Sequence, residues 1–342
     1  MRRHLSLGSK TMTHLSRSPS LRTVLLASAT CLLPVTVQAQ GPVSLPMQTT
    51  CSFSNMLRDL RRGLREGSPT LKRYLREQFK EAARSMPSEE LLAAVAQEHE
   101  PAVLEVLGAG LAAKAGFVED PALVQPLLQR ALSDGDPALR AAALRSLERT
   151  GSVEMMEKNG GVVTYSQLIR DPSPEVRAAV AGNLIAENAK VYFGHDKRVS
   201  EAAVSAAVAS PDPSVAAKLL REVSMEKVGP EAVDQLRGQL RSDNADLRAA
   251  AASALGGVPG PQTAGARDSL VELYRTEKDP AVRKAALQGI ARAGFGGSRA
   301  TLESLRGVAP GMDPEIDAWL SALKLNLQDW TMILREKERI RK

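Results

Sequence analysis

Apolar residues along this chain return with a helical period, and nearly the same nine letters open each return. In "DPAVRKAAL", Asp279 to Leu287, and its continuation, Val282, Ala286, Gly289 and Ile290 fall at i, i+4, i+7 and i+8 and share one stripe, while Arg283, Lys284 and Gln288 point elsewhere. The start of the helix is specified locally. Asp279 can accept backbone N–H bonds as an N-cap, and Pro280 suits the first helical position because its missing donor would have had no helical partner. Small residues within the stripe let a neighbouring helix approach closely.

The phrase recurs as "DPALRAAAL" from Asp136, "SPEVRAAVA" from Ser173, "DPSVAAKLL" from Asp212 and "NADLRAAAA" from Asn244. Its proline position is held by Pro101, Pro137, Pro174, Pro213, Ala245, Pro280 and Pro314, in steps of 36, 37, 39, 32, 35 and 34 residues. A second helical pattern lies between copies, in "PALVQPLLQRAL" from Pro121, "SEAAVSAAVA" from Ser200, "PEAVDQLRGQL" from Pro230, "ARDSLVELYR" from Ala266 and "ATLESLRGV" from Ala300. Each unit therefore reads as a helical hairpin. A lone hairpin cannot bury its apolar face, whereas stacked hairpins share a continuous core, so the repeat predicts a solenoid.

The pattern "DPxVRxxAxxxL" followed by "AVxxLxxxL" resembles HEAT repeats, in particular the short HEAT-like repeats of the phycobiliprotein lyase type, over about Glu100 to Leu325. The resemblance implies an all-α, right-handed solenoid of about seven repeats with helical caps. It also implies that the motif arginine forms a ladder with acidic or carbonyl groups of adjacent repeats. Arg140, Arg177, Arg248 and Arg283 match that position; Leu104, Ala216 and Asp317 stand in the other copies, where any ladder is broken. Function does not follow, because such repeats serve many unrelated roles.

Both ends depart from the repeat. Phe53, Met56, Leu57, Leu60 and Leu64 mark one amphipathic helix, and "GSP" at Gly67 to Pro69 starts another carrying Leu71, Leu75 and Phe79. Residues 51–99 are thus expected to cap one end of the core and 326–342 the other, with Trp319 and Trp330 packing inward and a basic tail, around a solenoid at 100–325. Residues 40–50, "QGPVSLPMQTT", read as a flexible N-terminus.

Residues 2–22 carry Arg2, Arg3, Lys10, Arg17 and Arg22 and no acidic residue, the apolar run "TVLLASATCLLPVTV" follows, and "VQA" offers small residues for cleavage after Ala39. Residues 1–39 are therefore predicted to be a secretory signal peptide; a start at Met12 would give a more ordinary length. The apolar run, about fifteen residues and interrupted by Pro34, falls short of the roughly twenty needed to span a bilayer.

Setting the leader aside changes the charge. The chain has 45 basic and 39 acidic residues, and the remainder after cleavage carries 40 and 39, so the high pI belongs largely to the leader. A near-neutral chain gives no global reason to expect nucleic acid. One local bias remains: Arg58 to Arg84 holds nine basic and four acidic residues, read mainly as solvated helix faces. Cys31 leaves with the leader, so the sole remaining thiol, Cys51, has no intramolecular partner; it is either sheltered or open to an intermolecular bond.

Two histidines remain, His99 and His195, which largely excludes nucleophile–base pairs, three-histidine metal sites and Cys/His zinc spacings. The expectation is no cofactor and no metal, and more simply a binding protein than an enzyme. The segment "KVYFGHDKRVS", Lys190 to Ser200, lengthens one step and combines Tyr192, Phe193 and His195, and insertions in solenoids often serve binding. The leading reading is an exported scaffold, periplasmic or secreted, whose second helices line a groove for a protein or peptide. Gln129, Arg130, Gln167, Arg170, Arg237, Glu272 and Arg275 are the candidate contacts. A chromophore-handling lyase-like enzyme and a HEAT-like DNA-binding protein are the alternatives.

Overall fold

Capping chemistry sets where the main helices begin. Asp136, Asp212 and Asp279 each accept N–H bonds from the first turn that follows, Asn244 accepts from Leu247 N–H, and proline fills the first helical position after each aspartate. Asp279→Ala is expected to cost about 1 kcal/mol. An unshifted urea midpoint for that variant would show the cap to be idle.

The structure is a computed structural model that describes residues 53–190 and 195–341. The predicted leader, Cys31, Cys51, residues 40–50 and the candidates Tyr192 and Phe193 lie outside the described residues. Among those described there are helices and no strand: α1 (Phe53–Glu66), α2 (Pro69–Ala83), α3 (Ser88–Gln97), α4 (Pro101–Phe117), α5 (Gln125–Ser133), α6 (Pro137–Ser146), α7 (Ser152–Lys158), α8 (Tyr165–Leu168), α9 (Pro174–Asn188) and α10 (Lys197–Ala209). They continue with α11 (Pro213–Glu222), α12 (Pro230–Gln239), α13 (Ala245–Leu255), α14 (Gly260–Thr276), α15 (Pro280–Gly294), α16 (Arg299–Glu303), α17 (Asp313–Leu323) and α18 (Trp330–Arg341).

The helices that begin at the repeated phrase, α4, α6, α9, α11, α13, α15 and α17, lie side by side as one layer, with α2 extending the row. A second layer of α3, α5, α8, α10, α12, α14 and α16 covers them. This is an all-α solenoid of stacked hairpins with seven motif helices. A continuous apolar seam runs between the layers, from Leu60 and Leu64 through Leu107, Leu144, Leu184, Leu219, Leu255 and Ile290 to Trp319.

Small residues set the spacing of the motif layer. A Cβ on Gly289 of α15 would lie 2.5 Å from the Ala252 carbonyl oxygen of α13, and one on Gly110 of α4 would lie 2.6 Å from the Phe79 ring of α2. Neither site admits a larger residue without moving a helix. The second-layer helices touch their neighbours less extensively than the motif helices do. The motif helices therefore form the more closely spaced of the two layers.

Two units depart from the simple hairpin. Between α6 and α9 the second helix is broken into α7 and α8, because Gly160 and Gly161 adopt φ of 82° and 64° after α7. The segment from Ala300, expected to form a full helix, yields only the five residues of α16 after a 3₁₀ turn at Phe295–Ser298. At the C-terminal end Trp319 is buried and stacks on Trp330, with centroids 5.6 Å apart and planes 6° apart. Lys337 of α18, also buried, pairs with Glu315 at 2.5 Å and places Nζ 5.0 Å from the centre of the Trp319 ring.

Candidate functional site

The motif arginines face the loops between repeats. Three residues before the repeated proline position stands Glu98, Asp134, Asp171, Ser210, Ser242, Glu277 or Gly311, and every one of these except Gly311 accepts a loop N–H through its side chain. Arg140 donates to the carbonyl of Asp134 in its own repeat and, bidentately at 2.7 and 2.9 Å, to the Asp171 carboxylate of the next. Arg248 does the same with the Ser242 carbonyl and with Glu277, at 2.7 and 3.2 Å. Arg177 donates to the Asp171 and Pro172 carbonyls, but serine stands at the next loop position, and its nearest carboxylate is Asp212 at 3.6 Å.

Among the described residues Arg283 makes no such rung. The loop position after it is Gly311, which offers no carboxylate, and the guanidinium lies 5.9 Å from the centre of the Tyr274 ring. Charge pairing shifts the carboxylates. The Arg248 hydrogen bonds, helped by the Lys278 and Asp279 N–H groups, bring the Glu277 carboxyl down to about 2 against its burial. Burial would raise the Asp171 carboxyl, but the bonds from Arg140 and Ser173 N–H carry it below its ordinary value.

Arg130 belongs to this framework. Leu104 interrupts the arginine series, and Arg130 of α5 reaches across to take both contacts: the Glu98 carbonyl at 2.8 Å and the Asp134 carboxylate at 3.0 and 2.8 Å. It also donates to the Val95 carbonyl, and its side chain is 13% exposed. The sequence placed it among partner contacts; the structure makes it the substitute for the missing rung. Its guanidinium is already filled by the carbonyls at the end of α3.

The other candidate contacts lie on the second layer and are not gathered into one site. Gln129 bonds Ser133, Gln167 closes a capping box with Thr164, and Arg237 pairs with Asp234 at 2.7 Å. Arg170, Glu272 and Arg275 are exposed and make no side-chain hydrogen bond or ion pair among the described residues. His195, just before α10, places its Nδ1 2.9 Å from the Asn188 carbonyl oxygen, and Asp196 is the N-cap of α10. Tyr165 is buried beneath a cavity of about 260 Å³ between α7, α8 and α10. Burial pushes its phenol up to about 12, and its hydroxyl is held by Ser152 and Asn183 at 2.7 and 3.2 Å. Ser152 carries that network on to the buried Glu187 carboxylate, 3.4 Å from its hydroxyl.

A larger concavity, about 470 Å³, lies across α2, α4 and α6 of the motif layer. Its floor is α4, whose Ala109, Ala113 and Gly116 leave space where longer side chains would fill it. Arg73, Arg76 and Lys80 stand on one wall and Arg145 and Arg149 on the other. Glu105 ties the walls together, forming an ion pair with Arg76 at 3.1 Å and accepting from Arg145 at 3.0 Å, and Arg145 continues to Glu175 of α9 at 3.2 Å. Arg73 makes no hydrogen bond or ion pair among the described residues. The sequence pointed to this region only as a basic run. The signal that marks the wall is the i, i+3, i+7 spacing of Arg73, Arg76 and Lys80, which puts all three on one face of α2.

Among the described residues no group of three or more His, Cys, Asp or Glu side chains is placed to hold a metal ion, and no helix is long and apolar enough to cross a membrane. The architecture and its loop ladder define the class, a stack of arginine-braced helical hairpins. Residues 163–291 match the family model described as "HEAT repeats", in two overlapping stretches, 163–256 and 200–291. No curated protein matches the chain significantly. Among solved structures, the chain is similar to importin beta at 16% identity and a TM-score of 0.45, over 79% of this chain and 40% of importin beta. It is also similar to an engineered protein at 18% identity and a TM-score of 0.38, over 82% of each chain. The chain thus spans well under half of importin beta.

Proposed function

We propose that this chain is an exported, non-enzymatic scaffold that holds a protein or peptide partner in the cell envelope. The observation that carries the binding half of this reading is the groove across α2, α4 and α6, a concavity shared by three adjacent helices of one layer and lined by charged side chains that include Arg73, which makes no ion pair among the described residues. A rigid framework supports it, since the ladder fixes the loops and the small residues fix the helix spacing. The export half rests on the basic and apolar leader with its Val-Gln-Ala junction. The exposed second-layer residues Arg170, Glu272 and Arg275 offer a further surface.

The test is a crosslinking capture of the tagged full chain in its source cell, with mass spectrometry of both the chain's N-terminus and the captured proteins. A chain beginning at Gln40 and one dominant envelope partner is the expected result. A chain that keeps its leader, or one whose crosslinks are no richer in any protein than those of an unrelated control, overturns the reading.

A further inference from the structure

Resting on that binding role, we propose that the groove across α2, α4 and α6 takes an extended acidic segment of the partner. The charge of the groove carries this first. Five cations line it, Arg73, Arg76, Lys80, Arg145 and Arg149, against the carboxylates Glu77, Glu105 and Glu148. Glu105 is shared between Arg76 and Arg145, and Lys80 meets Glu77 at 3.1 Å, which leaves Arg73 with no ion pair among the described residues and Arg149 with only a 3.9 Å approach to Glu148. The two least satisfied cations therefore stand on opposite walls, and a ligand that neutralises both must lie along the floor between them.

The width of the groove selects the conformation of the occupant. Neighbouring packed helices sit about 8–10 Å apart, so the axes of α2 and α6 on either side of α4 are at most roughly 16–20 Å apart. Each wall helix, about 10–12 Å across with its side chains, takes roughly 5–6 Å of that, leaving a gap of about 6–8 Å. A second helix does not fit there, whereas a single extended chain, which needs about 4.7 Å beside a neighbour, does.

Its length follows from the floor. From Glu105 to Gly116 α4 rises about 16 Å at 1.5 Å per residue, which is the reach of about five extended residues. Alternate residues of an extended chain face the same way about 6.6 Å apart, comparable to the one-turn spacing of Arg73, Arg76 and Lys80 along α2. The floor of Ala109, Ala113 and Gly116 offers no bulk to exclude a backbone.

Single-stranded nucleic acid is the other polyanion of suitable width, and the groove is poorly built for it. Such sites stack bases on aromatic rings, and no aromatic side chain lines this groove. Its three carboxylates would also meet a continuous phosphate backbone, whereas a peptide can place glycine or a donor opposite each.

The experiment measures binding of the full chain to a fluorescent peptide of alternating Glu and Gly, beside its Gln–Gly counterpart and a single-stranded oligonucleotide, at low and high salt. The Glu peptide is expected to bind at least about tenfold more tightly than the Gln peptide, with the difference screened away as ionic strength rises. Arg73→Glu combined with Arg149→Glu, two exposed positions whose loss breaks no short ion pair, is expected to abolish that preference while the thermal unfolding curve stays in place. Equal affinity for both peptides, an unchanged preference in the double variant, or tighter binding of the oligonucleotide overturns the proposal. Capture of the cellular partner by the double variant is run alongside. A partner that the double variant still retains overturns the acidic groove and leaves the scaffold standing, whereas the absence of any partner for the unmodified chain removes the scaffold reading itself.

Discussion

Trp319→Ala is expected to release the C-terminal helix, at a cost of about 4 kcal/mol, in the range measured for truncating buried aromatic side chains. Trp319 is 1% exposed, and its removal empties the space between α17 and α18. It also takes away the ring on which Trp330 stacks and the face over which Lys337 sits. The pair formed by Lys337 and Glu315 then loses its shelter and becomes an ordinary hydrated ion pair of small value. Of the aromatic and cation–π contacts, Trp330 keeps the edge contact with Phe295, at 6.3 Å, and the Arg292 guanidinium at 5.8 Å. Because the chain has two tryptophans, Trp330 becomes the sole one and reports the change directly.

The expected result is a red-shifted emission of Trp330 in native buffer and hydrogen exchange in α18 faster by about 10³, the factor that corresponds to some 4 kcal/mol. Exchange in α4 and α6 should not change, since stacked repeats couple chiefly to their neighbours. An unshifted emission maximum with α18 protection intact would mean that the helix is held by something other than this tryptophan pair.

The ladder gives the second large effect and the one with a pH signature. Glu277→Gln leaves the guanidinium of Arg248, 18% exposed, without its counter-charge, and a loss of about 2–3 kcal/mol at neutral pH is expected. The folded-state pKa of Glu277 is depressed to about 2, below the roughly 4.3 of an unfolded glutamate. For a depressed carboxyl the stabilisation is fully present above the unfolded value and is lost as pH falls through the folded one. The stability difference between the unmodified chain and Glu277→Gln should therefore be flat above about pH 5 and shrink toward zero near pH 2. Hydrogen exchange in α13 and α15 at a series of pH values measures it, and taking the difference cancels the titration of other carboxylates. A gap that keeps its size down to pH 2.5 would show that Glu277 acts through its shape and not its charge.

The two effects also differ in how far the sequence could have foreseen them. Trp319 and Trp330 were expected to pack inward, because large apolar residues at the end of a repeat array have an open core to cover. Glu277 carried no such signal. Its position three residues before Pro280 is filled by Asp, Glu, Ser or Gly in the other repeats, and only the folded loops show that this residue receives the arginine of the preceding repeat.

What the sequence determined by itself is what short-range physics specifies. An aspartate followed by proline fixes the first turn of α6, α11 and α15, the apolar period fixes the buried stripe, and recurrence about every 35 residues requires hairpins that stack. These depend on neighbours within one or two turns. Tertiary structure alone decided which layer is closely spaced, since that depends on Gly289 meeting the Ala252 carbonyl of another helix. It decided that Arg130 replaces the rung missing at Leu104, because a surface arginine and a loop arginine look alike until the chain is folded. It also decided the groove, where cations of α2 and α6, some 70 residues apart in sequence, face each other only because α4 between them is built of alanine and glycine. Periodicity tells each helix which side to bury, but the partner across a gap is chosen by the packing of the whole stack.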